Sequence, residues 1–159
     1  MSLQIRFAQR SDVALILRLI KALSVYEKLE DKVVATEEKI DRALFGRRPY
    51  AETLIAEEDG EAVGFALFFH NFSTFLAQPG IYLEDLFVEP EHRGKGVGRA
   101  LLARLAAIAV ERDCGRLEWA VLDWNKDAIG FYERLGARPN DEWTVYRLSG
   151  EPLRSLAGK

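Results

Sequence analysis

A short glycine-rich stretch, HRGKGVG at residues 92–98, combines features that could bind an anion. Glycine occupies every second position from 94 to 98, so the backbone can turn tightly and bring its N–H groups close to a ligand. The apolar spacing of residues 96–112 predicts a helix, whose unpaired first N–H groups and positive dipole end would face the turn. Arginine and lysine side chains add positive charge. Together these features favour a phosphate-bearing ligand.

The spacing of the glycines limits which phosphate-bearing ligand to expect. The stretch lacks the G-x-x-x-x-G-K-[ST] run of a nucleoside triphosphate loop, and GKGVGR is not a G-x-G-x-x-G dinucleotide motif. A pyrophosphate bound without magnesium is the better match. The alternative is an ordinary glycine-rich turn with surface charges, and the short motif alone does not decide between the two.

Two neighbouring acids, Glu84 and Asp85, lie in the apolar segment IYLEDLFV that precedes this turn. The segment, residues 81–88, predicts a strand, and a regular strand would direct the two acids to opposite faces of the sheet. Both can approach one site only if a β-bulge redirects one of them, and we therefore predict a bulge here. In the alternative interpretation, one acid is solvated and the other pairs with an arginine.

The elements that must position these residues follow from the hydrophobic pattern. Strands are predicted at residues 3–8, 52–58, 61–71, 81–88, 116–122 and 143–148. Helices are predicted after Ser11, from Thr36 to Gly46, at 96–112 and at 125–135, and loops between SVYEKLEDKV and Thr36 and at 71–80. This order predicts one mixed α/β domain over residues 1–159, in which helices flank a central mixed β-sheet. A βα crossover would make the sheet partly parallel.

The composition excludes several classes of protein. With 48% hydrophobic and 30% charged residues, the chain can bury a substantial core. A net charge of -3 gives no overall positive field, so we expect no nucleic-acid partner. No apolar run approaches the roughly 20 residues that span a bilayer, so we expect no membrane association.

The cysteine and histidine content bears on compartment and on metal binding. One cysteine, Cys114, cannot form an intramolecular disulfide, and MSLQIRFAQR lacks the apolar core of a signal peptide. We therefore expect a cytoplasmic protein. His70, His92 and Cys114 lack the spacing of metal ligands, so no metal site is predicted.

Several segments of the chain resemble the GNAT superfamily of N-acetyltransferases. RGKGVG resembles the family's pyrophosphate turn, and NKDAIGFYERLGA at residues 125–137 is similar to its Asn-x-x-Ala-x-x-x-Tyr-x-x-x-Gly-Ala segment. The second of these segments, with YLEDLFV and RLIKALSVYEKLE, resembles the branch that contains spermidine/spermine and thialysine acetyltransferases. The resemblance covers most of the chain. It implies the GNAT fold, a homodimer, and direct transfer of an acetyl group from acetyl-CoA to a primary amine without a metal.

The resemblance also implies a role for individual residues. Tyr132 would donate a proton to the departing thiolate, and Glu84 would accept the proton of the amine through a water. The residues implied to bind acetyl-CoA are Leu86, Phe87, Val88, Arg93, Gly94, Lys95, Gly96, Val97, Gly98, Arg99, Asn125, Asp127 and Ala128. Those implied to contact the amine are Tyr26, Glu27, Glu84, Asp85 and Asp141. Without the resemblance, a tyrosine on an apolar helix face is more often part of the core.

The expected substrate follows both from the residues that this sequence shares with the polyamine enzymes and from those in which it differs. An acidic pocket suits a cationic amine. The polyamine enzymes carry an Asp-Pro-Trp element before the YLED strand, where this chain has STFLAQPG at residues 73–80 and lacks an acid and an aromatic wall. A short diamine or a lysine-like amino acid is therefore favoured over a long polyamine. The alternatives are a protein amine, an antibiotic amine, or a non-catalytic sensor that binds acyl-CoA.

Overall fold

A computed structural model describes residues 2–159 of the chain. The contacts divide the chain into two compact units, Met1–Ala120 and Val121–Lys159, which we describe in turn. The prediction of one domain over the whole length stays a prediction. No helix in the described part of the chain is long and apolar enough to cross a membrane.

The first unit is a five-stranded sheet with three helices. The strands are β1 (Leu3–Phe7), β2 (Glu52–Glu58), β3 (Glu61–Ser73), β4 (Gln78–Val88) and β5 (Leu117–Trp119). The helices are α1 (Val13–Tyr26), α2 (Glu37–Phe45) and α3 (Val97–Glu111). The strand order is β1-β2-β3-β4-β5; the neighbouring strands are antiparallel except β4 and β5, which are parallel and joined through α3. The predicted mixed α/β fold with a partly parallel sheet is confirmed.

The core lies on both faces of this sheet. On one face, Ile55, Phe65 and Phe87 from three neighbouring strands pack against apolar residues of α1 and α2. On the other face, buried side chains of α3 cover the alternate strand residues, because successive residues of a strand point to opposite sides. The apolar stripe predicted for this helix is the side that is buried.

Local sequence signals explain where α2 begins and where the chain turns between β2 and β3. The Thr36 hydroxyl accepts a hydrogen bond from the Lys39 backbone N–H at 3.2 Å, which caps α2 as predicted. Asp59 and Gly60, with φ angles of 53° and 84°, form the tight turn between β2 and β3. Both residues of such a turn need positive φ, and an Asp-Gly pair between two strands therefore favours a hairpin.

The hairpin between β3 and β4 is longer than the sequence suggested. Residues 71–80 were expected to form a loop, but β3 continues to Ser73 and β4 already starts at Gln78. Gly80 permits a close approach of the two strands, because a Cβ there would lie 2.5 Å from the Asn71 Oδ1 atom of the partner strand.

The second unit contains α4 (Lys126–Arg134) and α5 (Gly150–Leu156). The first of these helices was predicted, and the second was not. The predicted strand at residues 143–148 is wrong, because the described residues form no strand there and Trp143, Val145 and Tyr146 are exposed. An alternating apolar pattern becomes a strand only when a partner strand takes up its hydrogen bonds. The strand predicted at 116–122 is likewise reduced to the three residues of β5.

Candidate active site

The two neighbouring acids of β4 lie at a β-bulge. Leu67 of β3 pairs with Asp85 and the next residue, Phe68, pairs with Leu83, so Glu84 is an extra residue in the ladder. The predicted bulge is confirmed. The Glu84 residue is exposed, whereas Asp85 is partly buried. The bulge thus allows adjacent carboxylates to lie on the same part of the sheet.

These carboxylates form an acidic cluster with Glu27, the residue that ends α1. Burial, together with the charges of Glu84 and Glu27, raises the pKa of Asp85 to about 7. Burial and the charge of Glu84 also raise the pKa of Glu27. Burial disfavours the charged form of an acid, and a nearby like charge adds to the effect. A cationic group bound beside the three acids would relieve this repulsion.

The raised pKa of Asp85 predicts a pH-dependent stability. The ordinary pKa is 3.8, so between about pH 4 and 7 the unfolded chain loses this proton while the native protein keeps it, and stability falls as pH rises. We expect the free energy of unfolding to fall by about 3 kcal/mol between pH 5 and 8 through this one group, and Asp85→Asn to abolish that fall. Urea denaturation at both pH values measures it.

The exposed residue Asp31 offers the matched control for this experiment. Asp31→Asn removes the same charge from the protein surface and should leave the pH dependence of the wild type unchanged. An Asp85→Asn protein that loses as much stability as the wild type between pH 5 and 8 would show that Asp85 is not the titrating group.

The glycine-rich turn has the backbone conformation that its composition predicts. Gly94 and Gly96 have φ angles of 77° and 87°, in the left-handed region, and the second of them is the N-cap of α3. A Cβ at either position would meet nothing within 4 Å, so the conformation of the backbone, and not a lack of space, requires glycine. The first N–H groups of α3, from Val97 to Arg99, have no acceptor in the helix itself and are available to an anion.

Arg93 connects this turn to the acidic cluster. Its Nε atom donates a hydrogen bond to the Val88 carbonyl oxygen at 2.8 Å. Its guanidinium carbon lies 4.6 Å from the centre of the Tyr26 ring and 5.3 Å from that of Phe87. Stacking of a guanidinium on two aromatic rings fixes its orientation. The side chain therefore positions the end of β4, the turn and Tyr26 relative to one another.

Glu58, the last residue of β2, is a site residue that the sequence did not suggest. It is 7% exposed, and its carboxylate lies 2.6 Å from His92 Nδ1 and 3.7 Å from Lys95 Nζ. Two side chains that flank the turn are therefore held by one buried acid. The signal was present, because the two-residue period places Glu58 on the same face as the apolar Leu54. His92, which the sequence left without a role, is one of its partners.

The edge of β4 that faces β5 is open beyond the bulge. The parallel pairing of the two strands begins at Ile81 and ends at Leu83. In the described part of the chain, residues 85–88 are therefore paired on the β3 side alone. Backbone groups of Leu86, Phe87 and Val88 lie along this stretch and can pair with an extended ligand.

The remaining predicted residues lie in the second unit. Asn125 is buried, and its side-chain oxygen accepts a hydrogen bond from the Ala128 backbone N–H at 3.3 Å, which caps α4. Tyr132 is in the same helix, with its ring centre 5.5 Å from that of Phe131. Asp127 in the first turn and Asp141 after the helix are exposed. Among residues 2–159, no group of three or more His, Cys, Asp or Glu side chains has an arrangement that could hold a metal ion.

Comparisons with known proteins agree with this geometry. The sequence profile of the acetyltransferase (GNAT) family matches residues 19–137. The chain is 42% identical to thialysine N-epsilon-acetyltransferase of Bos taurus, over 98% of this chain and 97% of the relative. It is 33% identical to an L-ornithine N5-acetyltransferase of Arabidopsis thaliana, over 96% of this chain and 87% of the relative.

A solved structure extends the similarity to the fold. An integron cassette protein of V. cholerae has a TM-score of 0.83 at 30% identity, and the match covers 100% of this chain and 99% of that one. The family profile spans most of the chain, and the curated relative from Bos taurus aligns over nearly the full length of both proteins. The chain therefore belongs to the GNAT family and is an acetyltransferase.

Proposed function

We propose that the enzyme transfers the acetyl group of acetyl-CoA to the primary amine of a small cationic substrate. The substrate is a short diamine, a polyamine or a lysine-like amino acid such as thialysine. The observation that carries the proposal is the acidic cluster in which Glu27, at the end of α1, lies beside Glu84 and Asp85 of β4, the strand that leads into the glycine-rich turn. Use of acetyl-CoA is a general property of the family.

The glycine-rich turn at residues 93–98 and the open edge of β4 support the binding of acetyl-CoA. The first N–H groups of α3, with Lys95 and Arg99, hold the pyrophosphate. The pantetheine arm pairs with the backbone of residues 86–88 in the manner of an added strand. The family resemblance supports a role for Asn125, Asp127 and Ala128 at the thioester end of the same molecule.

Starting from its charged form, the amine nitrogen must lose two protons to become an amide, and the sulfur must gain one. A primary amine with a pKa near 10.4 is almost entirely charged at pH 7, and Glu84 accepts its proton through a water. The neutral nitrogen then attacks the thioester carbonyl carbon, a C–N bond forms and the C–S bond breaks. Tyr132, a phenol that is protonated at neutral pH, donates its proton to the departing thiolate. The nitrogen releases its second proton, which restores the Tyr132 phenol through solvent. No covalent intermediate with the enzyme is needed.

The chain favours a short substrate. Glu27 and Asp85 attract a cationic amine, and Tyr26 provides an aromatic wall beside them. The substrates in the names of two relatives, thialysine and L-ornithine, are amino acids with a side-chain amine. The segment 73–80, which lacks the acid and the aromatic wall of the polyamine enzymes, removes contacts that a long polyamine would use.

A panel of amines tests the proposal. Release of free thiol from acetyl-CoA is measured with thialysine, lysine, ornithine, short diamines, spermidine, an aminoglycoside and a lysine-containing peptide, and the products are confirmed by mass. We expect turnover with a short amine and little with the peptide or aminoglycoside. A preference for the peptide or the aminoglycoside would contradict the proposed substrate class. Tight acetyl-CoA binding without turnover on any amine would indicate a sensor.

Glu58 provides a second test, at the phosphate end of the site. Because its carboxylate holds His92 and Lys95, Glu58→Gln should loosen the turn and raise the KM for acetyl-CoA by about threefold to tenfold, with kcat nearly unchanged. The exposed Glu61→Gln, in the same hairpin, is the matched control. Equal loss of kcat and kcat/KM in Glu58→Gln would contradict a role confined to binding.

We also propose that the enzyme is a homodimer in the cytoplasm. The family resemblance supports the dimer, and the exposed apolar side chains of Trp143, Val145 and Tyr146 could be buried by a second copy. A single cysteine is compatible with a reducing compartment. Light scattering after size exclusion tests the dimer, and a monomeric mass at micromolar concentration would contradict it.

A further inference from the structure

The face of the sheet that packs against α1 and α2 is only partly covered beyond the bulge. Asp85 pairs with Leu67, which packs against the core of this face, and Tyr82 pairs with Phe69. Leu67 and Phe69 point to the same face because they are two positions apart in β3. Phe87 is 4% exposed, whereas Asp85, Tyr82 and Phe69 are only half-buried. The acidic cluster therefore continues along β4 into a partly open strip of this face.

Two aromatic rings form the floor of this strip. The ring centres of Phe69 and Tyr82 are 5.3 Å apart, and the ring planes make an angle of 34°. A methylene chain packs favourably on such rings, and a cation beside them is attracted to their faces. The floor therefore suits the aliphatic part of a short cationic amine.

A further carboxylate, that of Glu118, lies beside these rings. Glu118 of β5 is the parallel partner of Tyr82 in β4, and paired residues of neighbouring strands point to the same face. Burial raises the pKa of Tyr82, and the charges of Glu84 and Glu118 add to this effect. The Tyr82 ring is therefore close to both acids, one on its own strand and one on the neighbouring strand.

Asn71 holds the Glu118 carboxylate from the other side of β4. Its Nδ2 atom donates a hydrogen bond to Glu118 Oε1 at 3.1 Å, although β4 lies between the strands of these two residues. Gly80 of β4 makes the crossing possible, because a Cβ there would lie 2.5 Å from Asn71 Oδ1. Among residues 2–159, no lysine, arginine or histidine forms an ion pair with Glu118. A neutral amide thus fixes the carboxylate and leaves its charge to attract a cation.

The separation of the acids suits the two ends of a short substrate. Because Asp85 and Tyr82 are three residues apart along β4, at about 3.3 Å per residue, and neighbouring strands are about 4.8 Å apart, the Cα atoms of Asp85 and Glu118 are about 10 Å apart. Both side chains extend from the same face. A substrate with two cationic groups joined by a few methylene groups can therefore contact both acids at once.

We propose that Glu118 is a specificity-determining residue that binds the second cationic group of the substrate. This group is the far amine of a diamine or the α-ammonium group of a lysine-like amino acid. The reacting amine lies beside Glu84 and Asp85, the methylene chain crosses the two aromatic rings, and the second cationic group donates hydrogen bonds to Glu118. The inference rests on the proposed function and adds to it the residue that selects two cationic groups over one.

Two pairs of amines that differ by one cationic group test the inference: cadaverine with pentylamine, and lysine with aminocaproate. The kcat/KM of acetylation is measured for each amine, and calorimetric titration into the protein saturated with coenzyme A measures binding without turnover. We expect the wild type to prefer cadaverine and lysine. Glu118→Gln keeps the size of the side chain and should lower kcat/KM for these two by about threefold to tenfold, through KM, without lowering it for pentylamine or aminocaproate.

Asn71→Ala tests the positioning of the carboxylate. It leaves the charge of Glu118 and removes the hydrogen bond, so the preference for cadaverine over pentylamine should fall by a smaller factor than in Glu118→Gln. The double variant should lose no more of this preference than Glu118→Gln alone, because Asn71 acts through Glu118. Glu61→Gln, at an exposed position of the β2–β3 hairpin, is the matched control. Circular dichroism verifies that each variant is folded.

Three results would overturn the inference. The wild type binds and acetylates the two amines of each pair equally well, Glu118→Gln keeps the wild-type preference, or Glu118→Gln weakens all four amines by the same factor, as a structural role would. Any of these results with an enzyme that turns over short amines leaves the proposed function intact. A binding preference that Glu118→Gln abolishes, in a protein that acetylates no amine, would instead support the role of Glu118 and contradict the proposed function.

Discussion

Tyr132→Phe is expected to lower kcat by about tenfold to a hundredfold while changing the dissociation constant of acetyl-CoA by less than about twofold. The substitution removes the proposed proton donor and keeps the ring. A general acid typically contributes a factor of about 10² to 10⁴. A thiolate is a good leaving group and needs less help than an alkoxide, so we place the effect at or below the lower end of that range.

Steady-state kinetics and calorimetric titration of acetyl-CoA separate the two effects. Tyr50→Phe, at an exposed tyrosine with no proposed role in catalysis or in the dimer, is the matched control and should change neither quantity. Unchanged turnover in Tyr132→Phe would remove the general-acid assignment. A parallel loss of turnover and acetyl-CoA affinity would instead assign Tyr132 to binding.

Gly96→Val should weaken acetyl-CoA binding by at least about tenfold. The backbone at this position has a φ of 87°, where a β-branched residue costs about 1–2 kcal/mol, so the turn would relax away from the conformation that presents its N–H groups. The new side chain would also stand in the turn proposed to hold the pyrophosphate. A change in acetyl-CoA affinity is therefore expected in addition to a loss of stability.

Gly60 provides a control with the same backbone strain. Its φ is 84°, it lies in the turn between β2 and β3, and an added Cβ meets nothing within 4 Å. Gly60→Val and Gly96→Val should lose similar stability in thermal denaturation, but Gly60→Val should bind acetyl-CoA as the wild type does. If the two variants bind acetyl-CoA equally, the turn at residues 93–98 is not the binding site.

Features that depend on neighbouring residues could be predicted from the sequence. Two adjacent acids in an apolar strand can share one site only through a bulge, and the ladder has its extra residue at Glu84. The Asp59–Gly60 hairpin and the cap at Thr36 depend on two to four residues each. In these places, local conformational preference and the final fold agree.

Features that depend on a distant partner could not be predicted. The contact between Glu58 and His92 joins residues 34 positions apart, and nothing in either segment specifies the other. The strand predicted at 143–148 had the correct alternation but lacks a partner strand in the described structure. The roles of Tyr132 and Glu84 came from the family resemblance, because their spacing alone also allowed a core tyrosine and a solvated acid.

The bulge at Glu84 has a consequence for how such a site can arise. Between Leu83 and Val88, all residues except Glu84 pair with a residue of β3. A strand without this residue would keep all of those pairs and the same inward-facing side chains. The proposed proton acceptor is therefore the one position that the sheet does not need. A single-codon insertion into an ordinary strand would suffice to introduce it, and later changes at that position would leave the architecture intact.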